Sequence, residues 1–157
     1  MAKATGKQQE VRPGQLISVA DRRFDDAAAL CATGQNARAN GAQYLAGLVL
    51  DILLKAQLMR LYPVTGRKRS HEVRDSERVV WNLIWRSHDL SEMLIQLPDR
   101  LSALDKKSER AGKPYSQWLR AICAEWSILL RYSTRASTIA EAQEMLERVR
   151  QLKELLK

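Results

Sequence analysis

The sequence predicts an all-α fold, an antiparallel up-and-down bundle of five or six helices, and three observations predict it. Ala, Leu, Arg, Glu and Gln dominate the middle and end of the chain, while strand formers are thin, with a single Phe in 157 residues. Apolar residues recur at i, i+3, i+4 and i+7 through several segments. Gly and Pro fall between those segments, and Ser, Thr or Asp stands at several of their starts.

Residues 1–14 read as a disordered basic tail, polar and ended by Arg12-Pro13-Gly14, ahead of one domain over 15–157. A first helix is expected from near Ser18, where Ser18 and Asp21 form a weak capping box, to about Thr33, with Gly34 as its stop. The second runs from about Arg38 to Tyr62. Leu45, Leu48, Val49, Ile52, Ala56 and Met59 mark one stripe, and Leu50, Leu53, Leu54 and Leu58 make it apolar on most sides, so it is expected to be the central, buried helix. Pro63 ends it.

A basic loop over 63–74 carries Arg67-Lys68-Arg69, and a third helix follows from about Asp75, with Val79, Val80, Leu83 and Ile84 on one side and Trp81 and Trp85 on another. Asp89 reads as an N-cap with Glu92 three residues on, and Pro98 breaks or restarts that helix, which resumes through Leu101 and Leu104. After Gly112-Lys113-Pro114 comes a helix carrying Tyr115, Trp118, Leu119, Ile122, Trp126, Leu129 and Leu130. Thr138 and Glu141 form a capping box that opens a terminal helix with Ala142, Met145, Leu146, Val149, Leu152 and Leu156 inward.

Composition narrows the function. Hydrophobic residues at 45% allow a packed core. The hydrophilic start carries no signal peptide, and the Tyr44–Leu50 apolar run, broken by Asp51, is too short to span a bilayer, so the expectation is a cytoplasmic protein without a membrane association. Cys31 and Cys123 are the only cysteines, far apart and outside any CxxC, and read as buried reduced thiols. With them and two histidines, none locally paired, neither a metal site nor a cofactor is expected. Phosphate-cradling glycine loops, nucleophile elbows and zinc-protease motifs are missing from the sequence. A net charge of +8 is compatible with RNA, DNA or another anionic partner.

A few residues stand out. Asp51 and Lys55, at i, i+4 with the acid first, form a favourable helical ion pair inside the most apolar helix, and a structural pair fixing helix orientation is the expectation. His88 precedes the Asp89 cap and follows Arg86; it either shapes the turn or, exposed in a cleft beside a cation, works as an acid or base near neutral pH. Arg131-Tyr132, with Arg135 following, offers bidentate phosphate recognition and a stacking face, or else an arginine at a helix C-terminus and a tyrosine in the core. Arg67, Lys68 and Arg69 form either a solvated loop or a phosphate-contacting one.

The order of these features resembles the HEPN domain family. Ala39 to Lys55, Ala-Asn-Gly-Ala-Gln-Tyr-Leu-Ala-Gly-Leu-Val-Leu-Asp-Ile-Leu-Leu-Lys, is similar to the family's second helix, where Tyr-Leu-x-Gly leads to an acid and a Leu-Lys pair. His88-Asp89-Leu90 with Met93-Leu94 resembles the His-Asp-Leu-x-x-Leu-Leu segment of one large branch, and Arg131-Tyr132 before a helix containing Glu141-Ala142 resembles that branch's Arg-Tyr-Pro and closing helix. The likeness covers roughly residues 19–156.

There are departures. Asp51 stands where Glu is usual, and Ser133 replaces the Pro after Arg-Tyr. The ribonuclease motif Arg-x(4–6)-His is absent. Before His71 the positions are Val64, Thr65 and Gly66, and before His88 they are Trp81, Asn82 and Leu83.

The resemblance implies a helical bundle that usually dimerises, often encoded with a nucleotidyltransferase or another defence protein in toxin–antitoxin or phage-defence settings. Three functions are compatible with it: a non-catalytic module binding RNA, a nucleotide or a partner protein; a metal-independent endoribonuclease with a rearranged site; or an adaptor docking through its terminal helix. In the second, His88 is the acid or base, and Arg131 or Arg86 stabilises the pentacovalent phosphate.

Overall fold

The computed structural model describes residues 11–62 and 72–157. Within them lie seven α-helices: α1 (Pro13–Ala32), α2 (Ala39–Leu61), α3 (Asp75–Trp85), α4 (Leu90–Ile95), α5 (Pro98–Ala111), α6 (Tyr115–Glu125) and α7 (Ile139–Leu156). Two short 3-10 turns, Asn36–Arg38 and Ile128–Tyr132, complete them. The all-α bundle expected from the periodicity is the fold, and no strand occurs among the described residues.

α2 is the axis of the bundle. It packs along α1 and α7 and also touches α3, α4 and the Ile128–Tyr132 turn. Val49, Leu50, Leu53, Leu54 and Leu58 of α2 are shut off from solvent together with Leu90, Met93, Leu97, Leu119, Val149 and Leu152. Of the periodic stripe, Val49 and Ala56 are buried, whereas Leu45, Leu48, Ile52 and Met59 are half-buried. A helix surrounded on several sides buries whichever residues its neighbours cover, and periodicity alone cannot rank them.

The helix starts follow local chemistry. At α7, Thr138 Oγ1 accepts from the Glu141 N–H at 3.2 Å and Glu141 Oε2 accepts from the Thr138 N–H at 2.7 Å, the expected reciprocal box. Asp89 caps α4 by accepting from the Glu92 N–H at 3.0 Å. Gly112 closes α5 with φ 61°, a left-handed conformation that favours glycine.

Elsewhere the boundaries differ from expectation. α1 begins at Pro13, because proline suits the first helical position and Gln15 Oε1 accepts from the Arg12 N–H. Ser18 is therefore inside α1, its hydroxyl donating to the Gly14 carbonyl, and Asp21 pairs with α7 rather than capping. α6 also stops early: Trp126 is extended at ψ 138°, and Ser127 caps the 3-10 turn by accepting from the Leu129 N–H, leaving Leu129 65% exposed. Of the residues expected on one side of the third helix, Val80, Leu83 and Ile84 are buried and Val79 is exposed. Residues 1–10 of the expected tail and the Arg67-Lys68-Arg69 run lie outside the described residues.

Candidate functional site

Along its largely apolar length α2 carries Asn40, Gln43, Gly47, Asp51 and Lys55, spaced by three and four, so they form one polar-and-glycine stripe on a single face. Each member of the stripe meets the segments that follow α3. At the N-terminal end, Asn40 Nδ2 donates to the Arg135 carbonyl at 2.8 Å and Asn40 Oδ1 accepts from the Ser137 N–H at 3.0 Å. The Ser137 hydroxyl donates to Gln43 Oε1 at 2.8 Å. These bonds satisfy an irregular stretch of backbone that has no ladder of its own.

One turn further, Gly47 lets the Trp126 indole lie against the helix backbone. A Cβ at Gly47 would meet Trp126 Cδ1 at 2.1 Å. The indole N–H donates to the Tyr44 carbonyl at 3.2 Å, and the Tyr44 ring stacks on it with centroids 6.0 Å apart.

Asp51 is the next member. Its carboxylate is 1% exposed, and Oδ2 accepts from Lys55 Nζ at 2.9 Å and from His88 Nδ1 at 3.1 Å. Lys55 Nζ and His88 Nδ1 stand 3.4 Å apart. An ammonium only donates, so Lys55 Nζ and a protonated His88 Nδ1 both donate to the one carboxylate oxygen. Asp51 Oδ1 is buried and has no partner. Lys55 is nearly covered, while the His88 side chain is 37% exposed. The cluster thus runs from a buried carboxylate to an imidazole at the surface.

The α3–α4 turn delivers His88. α3 ends at Trp85, the Ser87 hydroxyl accepts from the Asp89 N–H at 3.0 Å, and Asp89 caps α4. His88 is held between two side-chain–backbone bonds that define the turn. Arg86 begins it, with its guanidinium 5.0 Å from the Trp81 ring centroid.

The expected Asp51–Lys55 pair is present, and to it the structure adds His88, which sequence reasoning treated separately. The convergence had a signal in the polar stripe, but nothing in the sequence said which distant residue the stripe would meet. Asn40 and Gln43 were missed altogether. Arg131 goes elsewhere. Its guanidinium lies over the Tyr132 ring at 4.7 Å, and no contact joins it to His88 among the described residues. Tyr132 is 68% exposed, not in the core. Arg135 is also exposed and reaches Glu141 at 3.7 Å.

Both cysteines are buried and free. Burial raises the Cys31 thiol, and burial followed by the Asp89 carboxylate pushes the Cys123 thiol up to about 12. No group of three or more His, Cys, Asp or Glu that could hold a metal ion occurs among the described residues, and no described helix is long and apolar enough to cross a membrane. In comparisons with known proteins, no family model, no curated protein and no solved structure matches the chain.

Proposed function

We propose that this chain is a HEPN-like module of a prokaryotic toxin–antitoxin or phage-defence system, a cytoplasmic homodimer that binds RNA through the α3–α4 turn and its surroundings. The observation that carries the reading is the Asp51–Lys55–His88 cluster. Two of the three segments that carry the family resemblance meet in one hydrogen-bonded group, through Asp51 and Lys55 of α2 and His88 of the α3–α4 turn. His88 and Arg86 lie in the turn at the surface end of that group, and a net charge of +8 favours a polyanionic ligand. In this reading a nucleotidyltransferase or another defence protein is the partner.

A second reading, a metal-independent endoribonuclease, is favoured by the donor pattern at His88. A carboxylate that accepts from Nδ1 fixes the ring so that Nε2 can take or return a proton. Arg86, two residues before His88, would then stabilise the phosphate. Arg131, with no contact to His88, would serve only by movement or from a partner subunit.

One experiment separates the two. Purified protein, His88→Ala and Arg131→Ala are incubated with single-stranded RNA with and without EDTA, following both retention and cleavage. Salt-sensitive binding with intact RNA supports the binding module. Cleavage that persists in EDTA and is lost in His88→Ala supports the nuclease. Neither binding nor cleavage overturns both.

A further inference from the structure

We propose that the cleft between α6 and α7 binds a small organic ammonium ion with an apolar body. α6 ends at Glu125, the backbone turns at Trp126, and residues 133–137 lead back to the start of α7. A cavity of about 320 Å³ is left between them. That is the lower end of the range for small-molecule pockets, about 300–1,000 Å³. None of Asp51, Lys55 and His88 lines it.

The floor of the cleft is apolar. Ile122 and Trp126 are buried there, and Leu130 and Met145 are half-buried. The Trp126 indole N–H is committed to the Tyr44 carbonyl, so the ring has no donor left for a ligand. The walls are tied down by the fold itself. Asn40 bonds the Arg135 carbonyl and the Ser137 N–H, and Gln43 accepts from the Ser137 hydroxyl. The Thr138–Glu141 box sets the first turn of α7. A cleft formed in this way spares a ligand the cost of ordering a loop.

The charged lining decides what enters. Glu125, Glu141 and Glu144 stand against Arg135 and Arg148, so the cleft carries one net negative charge in a chain of net charge +8. Both guanidiniums already have carboxylate partners, Arg148 in Glu144 and Arg135 in Glu141. The Glu125 carboxylate has none among the described residues. An unpaired carboxylate beside an apolar floor suits a ligand with an ammonium at one end and hydrocarbon at the other.

The same lining discriminates among related molecules. An amino acid brings a carboxylate as well, which would meet Glu141 and Glu144 with both guanidiniums already engaged. A carboxylic acid with the same body offers nothing to Glu125. A diamine would have to lay its second ammonium on the apolar floor, out of water. The site therefore prefers an apolar monoamine to all three.

The test is calorimetric titration of the full chain at pH 7.5 and fixed ionic strength with phenethylamine, phenylalanine, phenylpropionate and putrescine. Saturable one-to-one binding of phenethylamine is expected, about tenfold tighter than that of the other three. Glu125→Gln, at an exposed position, is expected to weaken phenethylamine about fivefold, the upper worth of an ion pair within reach of water. Ala121→Phe puts a ring into the cleft from an exposed helix position and is expected to abolish binding at an unchanged urea midpoint. Glu109→Gln on α5 is expected to bind as the parent does. Absence of saturable binding, phenylalanine or putrescine binding as tightly as phenethylamine, or an unaltered affinity in Glu125→Gln would each overturn the proposal.

Discussion

His88 Nδ1 and Asp51 Oδ2 are 3.1 Å apart although 37 positions separate them in the chain, and Lys55 shares the same carboxylate oxygen. The imidazole thus ties the α3–α4 turn to the middle of α2 through a carboxylate that water does not reach. A buried charge kept by two partners is costly to strand. Lys55→Met is expected to destabilise the fold by about 3–5 kcal/mol, because the buried Asp51 carboxylate loses one of its two partners. The Asp51→Asn, Lys55→Met double variant removes both charges and is expected to recover most of that loss. Urea unfolding of the three proteins checks this; a double variant no more stable than the single one would show that the pair's worth is not electrostatic.

Gly47 has a different constraint. The Trp126 indole lies where a side chain at this position would be, so Gly47→Ala is expected to displace the ring and break its bond to the Tyr44 carbonyl. Overpacking of this kind costs about 1–3 kcal/mol. The change should appear as a lower urea midpoint with altered tryptophan fluorescence. Trp126→Leu in the same chain gives the new methyl room, so the two substitutions together should cost less than the sum of each alone.

Much of this architecture was legible. The α7 and α4 caps were readable because Thr138/Glu141 and Asp89/Glu92 act within four residues, and the central place of α2 because few of its sides are polar. The early end of α6 was not, because Trp126, Leu129 and Leu130 continue a helical stripe while the backbone turns at Trp126 to seat its indole on Gly47. Within the site, Asp51 and Lys55 were legible as an i, i+4 pair. Their link to His88 is a tertiary contact, and spacing along the chain carries no information about it. Arg131 and His88 were grouped by their chemistry, and the exposed Arg131–Tyr132 contact gives that grouping no geometric basis.

The raised cysteines set the alkaline behaviour. The folded chain holds the Cys123 proton up to about pH 12, whereas the ordinary value is 9.0. Between those values the unfolded chain binds fewer protons than the folded one, so stability falls as pH rises, by up to about 1.4 kcal/mol per pH unit for this group. Below about pH 8 the thiol is protonated in both states and contributes no slope. Cys31 acts in the same direction. Urea midpoints from pH 8.5 to 10.5 should fall less steeply for Cys123→Ala than for the parent, and comparing slopes cancels the packing cost of the substitution. In the folded protein Ellman's reagent should leave both thiols unmodified until denaturant is added.

The terminal helix is part of the core, which bears on whether it could serve as a detachable docking element. Ala142, Val149, Leu152 and Leu156 are buried, and α7 packs on α2 and α1. Lys153 Nζ meets Asp21 at 2.6 Å and lies 4.9 Å from the Phe24 ring centroid, joining α7 to α1. Gln57 and Arg60 bond the carbonyls at its end. Burying each large aliphatic side chain is worth about 1.5–3 kcal/mol, so Val149, Leu152 and Leu156 together account for about 5 kcal/mol or more, comparable with the whole stability of many domains. Removing residues 138–157 also uncovers the apolar side of α2. The truncated chain is therefore expected to lose cooperative urea unfolding and to bind a hydrophobic dye. A remainder that still unfolded cooperatively would mean that α7 is dispensable to the core, and a docking role for the terminal helix would then displace RNA binding at the α3–α4 turn as the better reading.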